Sequence, residues 1–132
     1  MPRFLFDTSA LIDYLNRNNQ NAITYVEAVI EGSESGRCSV ITEAELWAGI
    51  RNRREELDRA ALMSKFEIIP VTSNIARLAG GLLRGRSVGE IKAHFGDALI
   101  AASAMQVGET VLTADRASQR VSGSQAQYLV YR

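Results

Sequence analysis

The sequence contains few of the residues that disulfide bonds, zinc sites and histidine-based catalytic triads require. It contains one cysteine, Cys38, so no internal disulfide is possible, and one histidine, His94. This scarcity argues against a zinc site built from cysteine and histidine, and against a catalytic triad with a histidine base. Lys65 and Lys92 are the only lysines, and no Walker A motif is present. Carboxylates are therefore the main source of possible chemistry.

Long apolar runs and an excess of one charge are also absent. No stretch approaches the roughly 18 apolar residues of a membrane-spanning helix. Asp7 interrupts the N-terminal segment before the apolar core of a signal peptide could form. Together with the single cysteine, these features favour a cytoplasmic protein that is not attached to a membrane. Fifteen basic and fifteen acidic residues cancel, so the overall charge gives no argument for nucleic-acid binding.

The composition is that of an ordinary globular protein, with 46% hydrophobic and 23% charged residues in a chain of 132. This length predicts a single domain over residues 1–132. All basic residues except the two lysines are arginines, whose planar fork of donors suits phosphate groups. One cluster consists of Arg51, Arg53 and Arg54, and another of Arg84 and Arg86. Such clusters are also common on solvated helix faces.

Short apolar strands alternate with helical patterns along the whole chain. Strands are predicted at residues 3–6, 37–41, 67–71, 109–113 and 126–131. Helices are predicted at residues 8–15, 22–31, 42–50, 55–66, 74–83 and 97–105, with a short one at 116–120. Residues 85–96 are predicted to form a less regular connection. This alternation indicates a three-layer α/β/α domain with a mainly parallel central sheet of about five strands.

Four acidic residues lie where ligands bind in such a fold, beyond the carboxyl ends of the strands. Asp7 directly follows the first predicted strand, and Asp115 follows the fourth. Glu45 lies in the first turn of the helix after the second strand. Asp97 opens the strongly apolar helix that leads into the fourth strand. Parallel strands with right-handed crossovers bring these junctions to one edge of the sheet.

Each of these acids also has a purely structural interpretation. Asp7, Asp97 and Asp115 are good helix caps or turn formers. Glu45 completes a T-x-x-E capping box with Thr42. Glu43 lies on the same helix, and Glu45 is preferred over it for the site. Four carboxylates packed together would repel one another, however, and a divalent cation removes that cost.

The type of donor indicates the type of metal. Carboxylate oxygens are hard ligands that suit Mg²⁺ or Mn²⁺. One or two such ions would activate water for in-line attack on a phosphodiester and stabilise the charge on the leaving oxygen. The carboxylates therefore point to phosphodiester hydrolysis.

Four segments together carry a family resemblance. FLFDTSALIDYL, ITEAELWAG, GDALIAASA and VLTAD occur in that order, and they resemble the four motifs of PIN-domain nucleases. The similarity is greatest to the small VapC-type toxins of toxin–antitoxin pairs. The resemblance spans nearly the whole chain and implies a Mg²⁺- or Mn²⁺-dependent endoribonuclease. It also implies a homodimer and a cognate antitoxin that blocks the site.

The resemblance assigns roles to individual positions. Asp7, Glu45, Asp97 and Asp115 match the family's acidic residues and are the expected catalytic and metal-binding residues. Ser9 and Thr113 match hydroxyl positions that fix the orientation of these acids. Candidate contacts with RNA are Arg51, Arg53, Arg54 and Arg116, the last directly after the fourth acid.

Other interpretations of the same sequence stay open. The chain could be a PIN-like binding module without catalysis, or a metal-dependent nuclease in RNA processing or on DNA, not a toxin. His94 lies three residues before Asp97 and could approach the site. Trp47 could stack on a base or lie in an interface. Leu62, Met63 and Phe66 form an apolar face that would suit either a partner or the core.

Overall fold

The computed structural model describes residues 3–123 and 125–132. Its five strands are β1 (Phe4–Phe6), β2 (Gly36–Ser39), β3 (Glu67–Ile69), β4 (Thr110–Thr113) and β5 (Tyr128–Val130). Its α-helices are α1 (Thr8–Asn16), α2 (Gln20–Ile30), α3 (Val40–Ala48), α4 (Arg53–Met63), α5 (Ser73–Leu83), α6 (Val88–Val107) and α7 (Gln119–Ser122). A 3₁₀ turn, Arg116–Ser118, precedes α7. The predicted alternation of strands and helices is confirmed.

The five strands form one sheet in the order β3-β2-β1-β4-β5, and every neighbouring pair is parallel. The chain moves from β1 to β2 and β3 on one side, then returns to place β4 and β5 on the other. The order therefore reverses between β1 and β4. In an open parallel sheet this switch point leaves a crevice at the carboxyl ends of the strands, where ligands bind.

Apolar layers cover both faces of the sheet. Leu5 and Val111 pack with residues of α5, α6 and α7 on one face. Phe6 and Leu112, the next residues along the same strands, pack with α1, α2 and α4 on the other. Because successive strand residues point to opposite faces, these short strands are apolar throughout. The predicted three-layer architecture is thus confirmed.

The segment predicted as an irregular connection is helical. Residues 88–96 form the first half of α6, so the prediction for residues 85–96 is wrong over most of its length. Ser87 caps the helix by accepting the N–H of Glu90 at 3.2 Å. Ser-x-x-Glu is a capping box, and this signal outweighs the helix-weakening Gly89 and Gly96.

Helix α3 begins earlier than its sequence suggests. Val40 and Ile41 favour strands, but Ser39 caps the helix by accepting the N–H of Ile41 at 3.0 Å. The strand β2 therefore ends at Ser39, not at Ile41. Among residues 3–123 and 125–132, no helix has both the length and the apolar character needed to cross a membrane.

Candidate carboxylate site

Asp7 lies at the centre of a hydrogen-bond network at the switch point. It is buried, and its backbone N–H donates to the carbonyl of Leu112 at 2.9 Å. The hydroxyl of Thr113 donates to Oδ2 of Asp7 at 2.7 Å, and that of Ser9 donates to the same oxygen at 3.2 Å. The N–H of Thr8 donates to Oδ1 at 2.9 Å. Asp7 thus caps α1 with one oxygen and is held by hydroxyl groups through the other.

The hydroxyls of Ser9 and Thr113 also bind the loop that follows β4. The two oxygens are 3.2 Å apart. The N–H of Ala114 donates to Ser9 Oγ, and the N–H of Asp115 donates to Thr113 Oγ1, each at 3.0 Å. The loops after β1 and β4 are therefore fixed to one another. Ser9 and Thr113 lie in the orienting positions that sequence analysis assigned to them.

Glu45 reaches this edge from the middle of α3, so its predicted place in the first turn is wrong, and the alternative of a capping box with Thr42 does not hold. Because the helix begins at Val40, Thr42 is a buried helical residue, not a cap. The hydroxyl of Thr8 donates to Oε1 of Glu45 at 2.6 Å and lies 3.0 Å from the hydroxyl of Thr42. The two threonines therefore link Glu45 to α1. The sequence analysis named Thr42 only as a helix cap and did not name Thr8, although Thr8 directly follows Asp7.

Asp97 lies in the middle of α6 and does not open that helix. Its predicted capping role is therefore wrong, while its position near the other acids agrees with the prediction. A β-carbon at the preceding residue, Gly96, would lie 3.5 Å from Oε2 of Glu45. Helix α6 thus passes directly beside the Glu45 carboxylate.

The charge on Asp97 is the clearest electrostatic feature of this edge. Burial, followed by the negative charges of Asp7 and Glu45, raises the pKa of Asp97 to about 6. His94 opposes this shift, and Asp115 adds to it. Burial also raises the pKa of Asp7, against the hydrogen bond from Thr113. The negative charges of Asp7, Glu45 and Asp115 therefore all disfavour the ionised form of Asp97. We call these four acids the carboxylate cluster.

Asp115, like Glu45, is an exposed member of the carboxylate cluster. Its Oδ1 accepts the N–H of Ala117 at 2.8 Å and so caps the 3₁₀ turn. Glu43, by contrast, is not among the charges that act on Asp97; burial, and then the charge of Glu43, raises the pKa of the Cys38 thiol. This arrangement agrees with the preference for Glu45.

His94 approaches the carboxylate cluster from the preceding turn of α6. Its Nδ1 atom is buried and lies 3.9 Å from Oδ2 of Asp97. In the part of the chain that the structure describes, this nitrogen has no hydrogen-bond partner. His94 is therefore a helical neighbour of the cluster, not a remote loop residue.

The donor set fits a hard divalent cation that keeps much of its water. Within residues 3–123 and 125–132, no group of three or more histidine, cysteine, aspartate or glutamate side chains is arranged to hold a metal ion. Mg²⁺ commonly binds through one or two carboxylates and retains several water ligands. A cation would also relieve the repulsion that raises the pKa of Asp97. The cluster therefore suits Mg²⁺ or Mn²⁺ better than an ion that needs a complete protein cage.

The predicted basic cluster at the start of α4, which we call the α4 cluster, is ion-paired. Arg51 pairs with Glu55 at 2.7 Å, and Arg54 with Asp58 at 3.2 Å. Arg53 pairs with Glu56. Arg116 is exposed directly after Asp115.

The apolar candidates divide between core and surface. Leu62, Met63 and Phe66 are buried in the core, whereas Trp47 is 40% exposed on α3.

The chain matches known proteins in domain family and in fold. The family model for the PIN domain matches residues 4–124. No curated protein matches in sequence. A DNA-bound VapBC from Salmonella typhimurium is 18% identical, with a TM-score of 0.74 over 100% of both chains. A toxin–antitoxin complex from Klebsiella pneumoniae is 25% identical, with a TM-score of 0.71 over 96% of this chain and 95% of that chain.

A third structure, VapBC2 from Rickettsia felis bound to a DNA fragment from their promoter, is 19% identical. Its TM-score is 0.71, and the match covers 98% of each chain. These likenesses concern the fold, and the family match spans nearly all of the sequence. The resemblance drawn from the four motifs is confirmed: the chain belongs to the PIN domain family.

Proposed function

We propose that this protein is a Mg²⁺- or Mn²⁺-dependent endoribonuclease and the toxin of a toxin–antitoxin pair. Asp7, Glu45, Asp97 and Asp115 would hold the cation and carry catalysis. The observation that carries the proposal is the electrostatic coupling of Asp97 to the other three acids at the switch point of a parallel sheet. Strongly perturbed carboxylates at such an edge are typical of functional sites.

Hydrogen bonds from hydroxyl groups, and one long helix, hold the acids in fixed positions. Thr113 and Ser9 orient Asp7, and Thr8 orients Glu45. Asp97 extends from the interior of a 20-residue helix, whose rigid backbone limits its movement. A site held in this way needs little reorganisation when substrate binds. A divalent cation, when bound, supplies a lowered pKa for water and stabilises negative charge on the leaving oxygen.

The toxin role rests on the fold relatives. The similar chains come from structures described as VapBC or as a toxin–antitoxin complex. By analogy, the partners of this protein are an RNA substrate, a cognate VapB-like antitoxin and a second copy of itself.

The test is cleavage by the purified protein, free of any partner. Labelled tRNA and single-stranded RNA are incubated with Mg²⁺, Mn²⁺ or EDTA, and a DNA strand of the same sequence is included. We expect RNA cleavage that requires the metal and stops in EDTA. A folded protein that cleaves neither RNA nor DNA, and binds no Mn²⁺ by calorimetry, would instead be a PIN-like binding module. Cleavage of DNA alone would refute the RNA assignment.

Replacing Thr113 by Val tests the role of the hydroxyl groups. The substitution keeps the shape of the buried side chain but removes the 2.7 Å hydrogen bond to Asp7. We expect RNA cleavage to fall by about 10- to 100-fold, as when other residues that orient metal ligands are lost. Thr110→Val is the matched control, because Thr110 lies at the other end of β4 and its hydroxyl donates to Gln127 at 3.3 Å. Equal losses in both variants would contradict this role.

A further inference from the structure

Four arginines lie in two chain segments that are hydrogen-bonded to each other, one of which directly follows Asp115. Arg84 and Arg86 are in the turn between α5 and α6, Arg116 begins the 3₁₀ turn, and Arg120 is in α7. Arg84, Arg116 and Arg120 are exposed, and Arg86 is partly exposed. We call these four residues the arginine surface.

The arginine surface is continuous because its two segments are bonded together. Nη2 of Arg86 donates to the carbonyl of Arg120 at 3.0 Å and to that of Val121 at 2.9 Å. Asp115 caps the turn that begins at Arg116. The turn before α6 therefore contacts α7, and Arg116 is next in sequence to Asp115 of the carboxylate cluster.

The charges of the arginine surface are not neutralised by ion pairs. In residues 3–123 and 125–132, the ion pairs of arginine with acid involve Arg17, Arg37, Arg132 and the α4 cluster, and none involves the arginine surface. This contrasts with Arg51, Arg53 and Arg54, which each have a carboxylate partner. Unpaired guanidinium groups keep their full capacity to bind an anion.

Acidic residues near the arginine surface do not cancel its charge. Between residues 84 and 123 the acids are Glu90, Asp97, Glu109 and Asp115. Asp97 and Asp115 belong to the carboxylate cluster. Glu109 is buried and pairs with Arg37 at 3.0 Å. Glu90, in the first turn of α6, is the remaining acid of this stretch, so outside the carboxylate cluster and the Glu109 pair the four arginines outnumber the acids of these residues.

We infer that the arginine surface binds the phosphate backbone of the RNA beside the bond to be cut. This inference deepens the proposed function and rests on it. Four acids repel a polyanion, so an adjacent cationic surface is needed to hold the strand close to them. Guanidinium groups suit this contact because their planar donors match phosphate oxygens. The α4 cluster, predicted from sequence to bind RNA, is replaced in this role by the arginine surface; Arg116 is kept.

The test measures binding separately from cleavage. Wild-type protein in EDTA is titrated into fluorescein-labelled single-stranded RNA, and anisotropy gives the Kd between about 50 and about 200 mM salt. In Arg84→Gln/Arg120→Gln we expect the slope of log K against log salt to become less negative by about 1.4, or about 0.7 for each lost phosphate contact. Near 0.1 M salt this corresponds to roughly 10- to 25-fold weaker binding. Arg86 is left unchanged because it holds α7.

Two further variants test whether the change in salt slope depends on the position of the arginines and on their charge. Arg53→Gln/Arg54→Gln removes the same charge from α4 and is expected to leave the slope unchanged. Arg84→Lys/Arg120→Lys keeps the charges and is expected to restore most of the slope. Thermal unfolding confirms that each variant is folded. Equal slope changes for the α4 variant, or no change for Arg84→Gln/Arg120→Gln, would overturn the inference.

Failure of this inference differs from failure of the proposed function. Metal-dependent cleavage by wild type, with an unchanged salt slope in Arg84→Gln/Arg120→Gln, would leave the nuclease intact and refute the arginine surface. The reverse result, a reduced slope without any cleavage by wild type, would leave an RNA-binding surface on a protein that is not a nuclease.

Discussion

Asp97→Asn is expected to lower RNA cleavage by more than about 100-fold, beyond the loss typical of residues that only orient a metal ligand. The substitution keeps the size of the side chain and removes the carboxylate whose pKa is raised to about 6 by burial and by the neighbouring acids. Asparagine binds a hard cation more weakly than a carboxylate does. Initial rates on labelled RNA with Mg²⁺, compared between variant and wild type, measure the effect.

The same substitution is expected to stabilise the fold in EDTA at neutral pH. The pKa of Asp97 rises from 3.8 to about 6 on folding, so ionised Asp97 destabilises the folded state. This penalty is absent below pH 3.8 and complete above about pH 6. With about a third of the side chain exposed, we expect about 1 kcal/mol at pH 7. Urea unfolding of variant and wild type at pH 4 and pH 7 measures it.

A gain in stability with a loss of activity separates function from folding. If Asp97 served only to support the helix, Asp97→Asn would retain cleavage. Glu43→Gln provides the matched control, because Glu43 is on α3 with Glu45 but does not act on Asp97. Cleavage by Glu43→Gln should stay close to that of wild type. A comparable loss in this control would show that any charge change near α3 impairs the enzyme.

The sheet was predictable because its strands are short, apolar and separated by helical patterns. This pattern fixes parallel strands and places Asp7 and Asp115 after strand ends. The switch point between β1 and β4 depends on strand order, which local sequence does not encode. The positions at strand ends and helix starts grouped the four acids and the resemblance agreed with that grouping, whereas only the structure gave the hydrogen bonds of Thr8 and Thr113 that hold two of them.

The two wrong capping assignments have a shared cause. Asp97 and Glu45 were assigned to helix starts because good capping residues and strand-forming neighbours suggested boundaries there. Ser87 and Ser39 cap those helices instead, ten residues before Asp97 and six residues before Glu45. Packing against the sheet extends a helix through residues with weak helical preference. Local signals therefore placed the starts of these two helices incorrectly.

A network at the C-terminal end was not predicted, because it joins residues more than 100 positions apart. Asp13 is buried in α1 and had no assigned role. The hydroxyl of Tyr131 donates to its Oδ2 at 2.7 Å, and Nη2 of Arg132 donates to its Oδ1 at 2.8 Å. Burial, and then the hydrogen bond to Asp13, raises the pKa of Tyr131. Asp13 therefore fastens the segment after β5 to the first helix.

Asp13→Ala is expected to lower the free energy of unfolding by about 3 kcal/mol, the lower end for breaking a buried ionic pair. The loss arises mainly because the Tyr131 hydroxyl loses its buried acceptor. It is at the lower end because the Arg132 side chain is 47% exposed and regains water. Asp58→Ala is the matched control: its pair with Arg54 is exposed, so we expect a change below about 0.5 kcal/mol. Urea unfolding followed by circular dichroism measures both variants. Similar midpoints for the two would mean that the Asp13 network contributes no more than a surface pair, and that apolar packing alone holds the C-terminal segment in place.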